Sequence, residues 1–283
     1  MVDAMQWDYR AEPNASDFAH YPILKELIRL GYVPKIIELN IQQEAPDAEA
    51  EIIVDYTVIF DGTATAKVAY YDSSDVKDTS AGVGTKTIKV LSTNEAGNDY
   101  QEITDDMVGQ TGTATAEKHQ RLIAVKGMTA GAEGDTAGTL TIQDDAGGTN
   151  KHMTIAAANM SSISARIYMP DGWKGLMYYI HASKPEVADA TAEIILDTGF
   201  IFKPFWDDAS GVDIDDVLSY TVSSSVGAVE VYNATPIIAS ADGAAYITLK
   251  HVTKEADLNA LALYKIIYVV WDATKSIQRG IGL

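Results

Sequence analysis

A chain of 283 residues with 47% hydrophobic and 22% charged side chains has ample material for a core and does not have the composition of a disordered polymer. Its 40 acidic against 21 basic side chains give a formal net charge of −19, a field that repels phosphate backbones, and pairs such as Lys86 with Lys89 are too sparse to form a basic groove. No direct nucleic-acid partner is expected. There is no cysteine, so disulfides, zinc–thiolate sites, thiol catalysis and iron–sulfur ligation drop out together.

The first twenty or so residues read as an irregular arm in which Trp7, Tyr9 and Phe18 are scattered among acidic and polar residues. Aromatics on such an arm need a surface to dock on, which makes these three the expected assembly contacts. No apolar stretch lies within Met1–Asp17, so no secretory leader is expected there, and the longest apolar runs, such as Ile266–Trp271, are far short of a membrane span. A helix should follow. Pro22 suits its first position, Ile23, Leu24, Leu27 and Ile28 form one apolar face, and Gly31 suits the stop.

From Lys35 the apolar period changes to two, predicting strands at 35–41 and 51–60, then 64–71 after the Asp61–Gly62 turn. Residues 72–84 read as a polar loop. Short strands are predicted at 86–92, 100–104, 120–126 and 139–143, separated by turn residues such as Asn94–Asn98 and Asp144–Asn150. Longer, more apolar strands are predicted at 162–169, 175–182, 191–202, 217–223, 228–232, 245–251 and 262–271, with a short helical turn over 254–260. Leu263–Trp271 is apolar on both faces and should lie centrally in its sheet. The expected fold class is all-β: two β-sandwich, jelly-roll-like domains with an N-terminal arm and one short helix. The expected division is 1–34 for arm and helix, 35–150 for the first sandwich region and 151–283 for the second.

The chain offers no recognisable catalytic signature. His20, His119, His152, His181 and His251 are far apart in sequence, no HExxH or GxSxG motif occurs, and Gly82–Thr85 leads into a strand, where no helix terminus could hold phosphate. No catalytic residue and no cofactor are assigned. Asp207, Asp208, Asp213, Asp215 and Asp216 form the best calcium candidate, but their spacing lacks the glycine and glutamate of an EF-hand, and a solvated loop is the reading ranked ahead of it. Glu186 and Glu193 near Trp173, Tyr178 and Tyr179 leave a glycosidase pair or a glycan platform open, ranked behind an intersubunit contact and a core role for the aromatics.

One stretch carries a family likeness. Thr85-Lys86-Thr87-Ile88-Lys89-Val90-Leu91 is followed by the turn Asn94-Glu95-Ala96-Gly97 and by Tyr100-Gln101-Glu102-Ile103-Thr104. Gln120-Arg121-Leu122-Ile123-Ala124-Val125, Gly138-Thr139-Leu140-Thr141-Ile142 and the turn Met169-Pro170-Asp171-Gly172-Trp173-Lys174-Gly175 come next. From about Gly84 to Phe202 this pattern resembles structural proteins of virus and phage particles. The resemblance implies a capsid, penton or decoration subunit that acts by self-assembly in a virion, with copies of itself and other virion proteins as partners. It supplies no functional residue. The other classes left open are a carbohydrate-binding or adhesion module, with glycan contact, and a β-sandwich glycoside hydrolase.

Overall fold

The computed structural model describes residues 8–10, 22–44, 60, 62, 65–134, 136–146, 151–157, 161–163, 166–184, 194–200, 218–223, 227–237, 244–246, 252–253 and 261–275. They form mostly antiparallel β-sheets with one short helix, an all-β chain. Among them no helix is long and apolar enough to cross a membrane.

The helix, α1 (Pro22–Arg29), begins at Pro22 and stops where the sequence puts its glycine. Gly31 has φ of 87°, its N–H donates to the Ile28 carbonyl, and the Tyr32 N–H reaches back to the Leu27 carbonyl at 2.9 Å. This is the Schellman closure, which needs a left-handed residue and so favours glycine. Leu24 and Leu27 face inward onto a sheet, and Tyr32 joins them. That sheet runs β1 (Asp8–Arg10), β2 (Pro34–Glu44), β18 (Leu261–Asp272), β12 (Trp173–Lys184), β15 (Gly227–Ile237). β18 lies in the middle, as its two apolar faces predict, and Ile36, Ile267 and Val269 meet the helix there. Tyr32 and Trp271 lie side by side with ring centroids 6.5 Å apart. The register of β12 shifts between Met177 and Tyr179 against both neighbours: Tyr178 is the extra residue against β18, whereas against β15 the extra residue lies on β15.

Between β2 and β12 the chain builds a separate two-sheet unit. One sheet has the order β10 (Ser161–Ile163), β7 (Leu122–Ala130), β4 (Thr85–Thr93), β5 (Tyr100–Asp106). The other has the order β6 (Thr113–Ala114), β3 (Tyr70–Ser73), β8 (Leu140–Gln143), β9 (Lys151–Ile155). Alternation, with a register shift at Ile123 of β7, explains the contact between them: Ile88 and Val90 from β4 and Leu122 and Val125 from β7 meet Tyr71, Leu140, Ile142, Met153 and Ile155, with Phe60 and Met107 completing the core. The chain crosses from one sheet to the other at both margins, from β5 to β6 and from β9 to β10. The remaining described strands are β11 (Arg166–Tyr168), paired with β16 (Ala244–Tyr246), and β13 (Ile194–Phe200), set between β14 (Leu218–Ser223) and β17 (Val252–Thr253).

Strand pairing runs across the expected divisions. β2 pairs along its whole length with β18, from Pro34 opposite Trp271 to Glu44 opposite Leu261. β9 and β10, which follow residue 150, complete the sheets of β8 and β7. Asp8–Arg10 pairs with Ile36–Glu38 of its own chain, so part of the expected arm is a sheet strand. Of the strand expected at 64–71, the structure shows β3 from Tyr70, and before it Lys67 makes an isolated antiparallel bridge with His119.

Candidate functional site

The sites expected from sequence fall unevenly. Tyr9 sits in β1 opposite Ile37, whereas Trp7 and Phe18 lie outside the described residues. The calcium candidates Asp207, Asp208, Asp213, Asp215 and Asp216 also lie outside them, as do Glu186, Glu193, His20 and His251. His181 is a β12 position in register with Lys265 and Glu230. Among the described residues no group of three or more metal-ligating side chains comes together.

The structure does gather polar side chains in three places. The first lies within the stretch 72–84 read as a polar loop, of which Asp72 and Ser73 belong to β3 and residues 74–84 form the loop. At its centre Asp78 is fully buried. One carboxylate oxygen accepts from the backbone N–H of Thr85 (2.7 Å) and Ala137 (2.9 Å), and the other from the N–H of Gly138 (2.9 Å) and the Ser73 hydroxyl (2.6 Å). A buried carboxylate with four donors is satisfied, and here it ties the two ends of its own loop, Ser73 and Thr85, to the remote stretch Ala137–Gly138. The loop is also bonded to its neighbours through Ser80 N–H to Met107 O and Gly109 N–H to Asp78 O. On this fixed frame Val76 is 64% exposed, Val108 46% and Val83 41%. Val76 lies beside Gly109, and Val83 accepts from the Glu133 N–H on the other flank.

The second place surrounds Phe60. His119 is fully buried, with Nδ1 2.7 Å from Ser92 Oγ and 3.2 Å from Gln101 Nε2, and Nε2 2.8 Å from Thr115 Oγ1. Its neighbours fix its tautomer. Gln101 Nε2 donates to the Lys118 carbonyl at 2.8 Å and to Ser92 Oγ at 3.1 Å, which leaves the Ser92 hydroxyl to donate to Nδ1. Thr115 Oγ1 donates to the Glu117 carbonyl and accepts from Ala69 N–H, so its remaining lone pair takes the Nε2–H. Burial pushes the imidazole down to about 4, which keeps it neutral. A serine hydroxyl aimed at a neutral histidine has the chemistry of an activated nucleophile, but Ser92 is as fully buried as His119 and no substrate reaches it. On the other edge of Phe60 lies His152, its Nε2 2.7 Å from Asp144, which also holds Lys67 at 2.7 Å. Burial alone would push the Asp144 carboxyl up; the hydrogen bonds from Lys67 and His152 outweigh it and hold the carboxyl below the usual range.

The third place joins the two units. Two turns singled out in the sequence meet here: Asp171 N–H donates to the Gly97 carbonyl at 2.8 Å. Gly97 and Gly172 both have positive φ (69° and 78°), and a β-carbon on Gly97 would collide with the Gln120 side chain. Trp173, 8% exposed, donates from Nε1 to the Asn98 carbonyl at 3.0 Å and stands edge-on to Tyr100, with centroids 5.2 Å apart. Tyr100 in turn donates to the Tyr168 carbonyl. Lys35 of β2 lies over the Trp173 ring and binds Asp99 at 2.6 Å. Trp173 is therefore a buried anchor and offers no face to a sugar ring.

Sequence reasoning found the two turns but missed Asp78, His119 and the Lys67–Asp144–His152 group. Each depends on at least one partner far away along the chain: Gly138 for Asp78, Ser92 for His119 and Lys67 for Asp144. No family model matches the chain, and no curated protein or solved structure shows significant similarity to it.

Proposed function

We propose that this chain is a structural subunit of a virus or phage particle, of capsid, penton or decoration type, acting by self-assembly and without catalysis. On this reading it consists of two β-sandwich units of jelly-roll-like character, and its partners in the virion are copies of itself and other particle proteins. The N-terminal segment carrying Trp7, Tyr9 and Phe18 adds contacts to a neighbour.

The observation that carries the reading is the end of the two-sheet unit bearing residues 74–84. There Val76 and Val83 are exposed on a loop that a buried carboxylate holds in place, and Val108 is exposed on the stretch bridged to Thr79. Apolar side chains on a rigid frame lose little entropy on docking, which suits a contact made many times in a shell. The polar groups at the Asp78, His119 and Asp144 centres work on holding the chain, and the two units are joined by Trp173, Tyr100 and the Lys35–Asp99 pair. A lattice subunit benefits from that stiffness.

Size-exclusion chromatography with light scattering over a range of protein concentrations tests this. The expected result is concentration-dependent self-association that the double variant Val76→Asp, Val108→Asp weakens by at least about tenfold, with an unchanged circular dichroism spectrum. A wild-type chain that stays monomeric at every concentration would sink the reading.

A further inference from the structure

Among the described residues six large apolar side chains are exposed, and they gather at two ends of the molecule. At one end, the head, stand Val76 and Val83 of the pinned loop and Val108 beside it, with Met128 close by. Met128 is the extra residue of a bulge in β7, opposite Thr87 and Ile88 near the start of β4. At the other end, the tail, Leu30 and Val33 lie three residues apart on the turn that closes α1. Apolar residues scattered singly over a surface need no explanation, whereas two groupings confined to separate ends do.

Strand β4 lies between them. It leaves the pinned loop at Thr85 and ends at Thr93, where the turn Asn94–Asn98 begins. Asp99, just past that turn, binds Lys35 at 2.6 Å, two residues after Val33. Nine residues of strand are about 26 Å long, so Leu30 and Val33 cannot reach the valines of their own chain. The charges at the two ends also differ. The stretches 74–84, 107–112 and 128–134 that build the head hold Asp75, Asp78 and Glu133 against Lys77, while residues 25–35 at the tail hold Lys25, Arg29 and Lys35 against Glu26. Asp78 is buried and Lys35 is committed to Asp99, which leaves Asp75 and Glu133 to meet Lys25 and Arg29. The ion pairs Arg29–Glu26 and Lys77–Glu133 are exposed and worth little by themselves, so a neighbour can share them. In a chain of net charge −19 most pairs of surfaces repel. Two heads meeting would add to that repulsion; a head meeting a tail brings acid to base.

We propose that the exposed valine end of one copy docks on the Leu30–Val33 end of the next, a head-to-tail contact between different faces of the same chain. This rests on the reading of the chain as a self-assembling subunit and names the surface that receives its valines. The apolar side chains form the centre of the contact, and Asp75 and Glu133 face Lys25 and Arg29 at its rim. Each added copy brings a fresh head or tail, so the contact repeats into a ring or an open row, whereas a face that pairs with itself stops at two.

Light scattering on three chains tests this: the wild type, the head variant Val76→Asp, Val108→Asp, and the tail variant Leu30→Asp, Val33→Asp. All four positions are exposed, so both variants should keep the wild-type circular dichroism spectrum. Each variant alone should associate at least about tenfold more weakly than the wild type. Mixed in equal amounts they should form a one-to-one dimer that grows no further, because one sound head meets one sound tail. A tail variant that associates like the wild type, or a mixture no larger than its components, overturns the head-to-tail contact while leaving self-assembly standing. A wild type that stays monomeric removes the subunit reading, and this contact with it. If an aspartate pair prevents folding, serine at the same two positions takes its place with the same expectations.

Discussion

The two-sheet unit and the terminal helix-on-sheet region are held together by different means. In the latter, Leu24 and Leu27 lie on Ile36, Ile267 and Val269, with Ile23, Tyr32, Tyr179 and Trp271 packed around them. In the former, an apolar core of similar character is rimmed by buried polar residues: Asp78, Ser92, Thr115 and His119 are each at most 3% exposed and all are hydrogen-bonded. The difference follows from strand length. β12 and β18 are 12 residues each and satisfy their backbones along a long ladder, while β3 and β8 have four residues apiece and leave wide loops to be fixed by side chains. Apolar contact gives stability that tolerates some repacking. Polar pinning gives a unique loop path that fails sharply when one partner is removed.

That contrast can be broken at the pinned end first. Asp78→Ala leaves three backbone N–H groups and a buried hydroxyl without their acceptor and should destabilise by about 4 kcal/mol. Asp78→Asn, which keeps the shape but turns an N–H toward another N–H, should lose about half of that. Urea denaturation of both variants measures it, and a cost for Asp78→Ala below about 1 kcal/mol would show that water replaces the carboxylate without difficulty. Leu24→Ala comes next. It opens a cavity under a fully buried side chain, and about 3 kcal/mol should be lost in the same assay.

The smallest effect probes the apolar region's own exception. Tyr268 is fully buried on β18, burial raises its hydroxyl pKa, and its oxygen has no hydrogen-bond partner among the described residues. Tyr268→Phe should therefore leave stability unchanged or raise it by up to about 1 kcal/mol, read as a higher denaturation midpoint. A clear loss would mean that the hydroxyl is satisfied after all.

Much of the secondary structure was legible because its signals are local. The Pro22 start and Gly31 stop, the Asn94–Gly97 turn between β4 and β5, and the double-faced apolarity of β18 all act within a few residues. β9 was missed because Lys151, His152 and Thr154 leave only Met153 and Ile155 to mark it, directly after a glycine-rich turn. β1 has three residues, too few to display a period. The loop 74–84 reads as solvent-exposed because nothing local announces that Asp78 turns inward toward the N–H groups of residues 85, 137 and 138. The pairing of β2 with β18 was equally hidden, since alternation tells a strand which face to bury and not which neighbour to choose.

The pairing of Pro34–Glu44 with Leu261–Asp272 also constrains how the chain is made. As it leaves the ribosome, the inserted strands β3 to β10 can close on one another early, whereas β2 must wait for β12 and β18 before its sheet exists. Over that interval its alternating Ile37, Leu39 and Ile41 lack their final partners, a natural place for a chaperone to hold on. Circular permutation that brings the two strands together in sequence should shorten that wait and speed refolding.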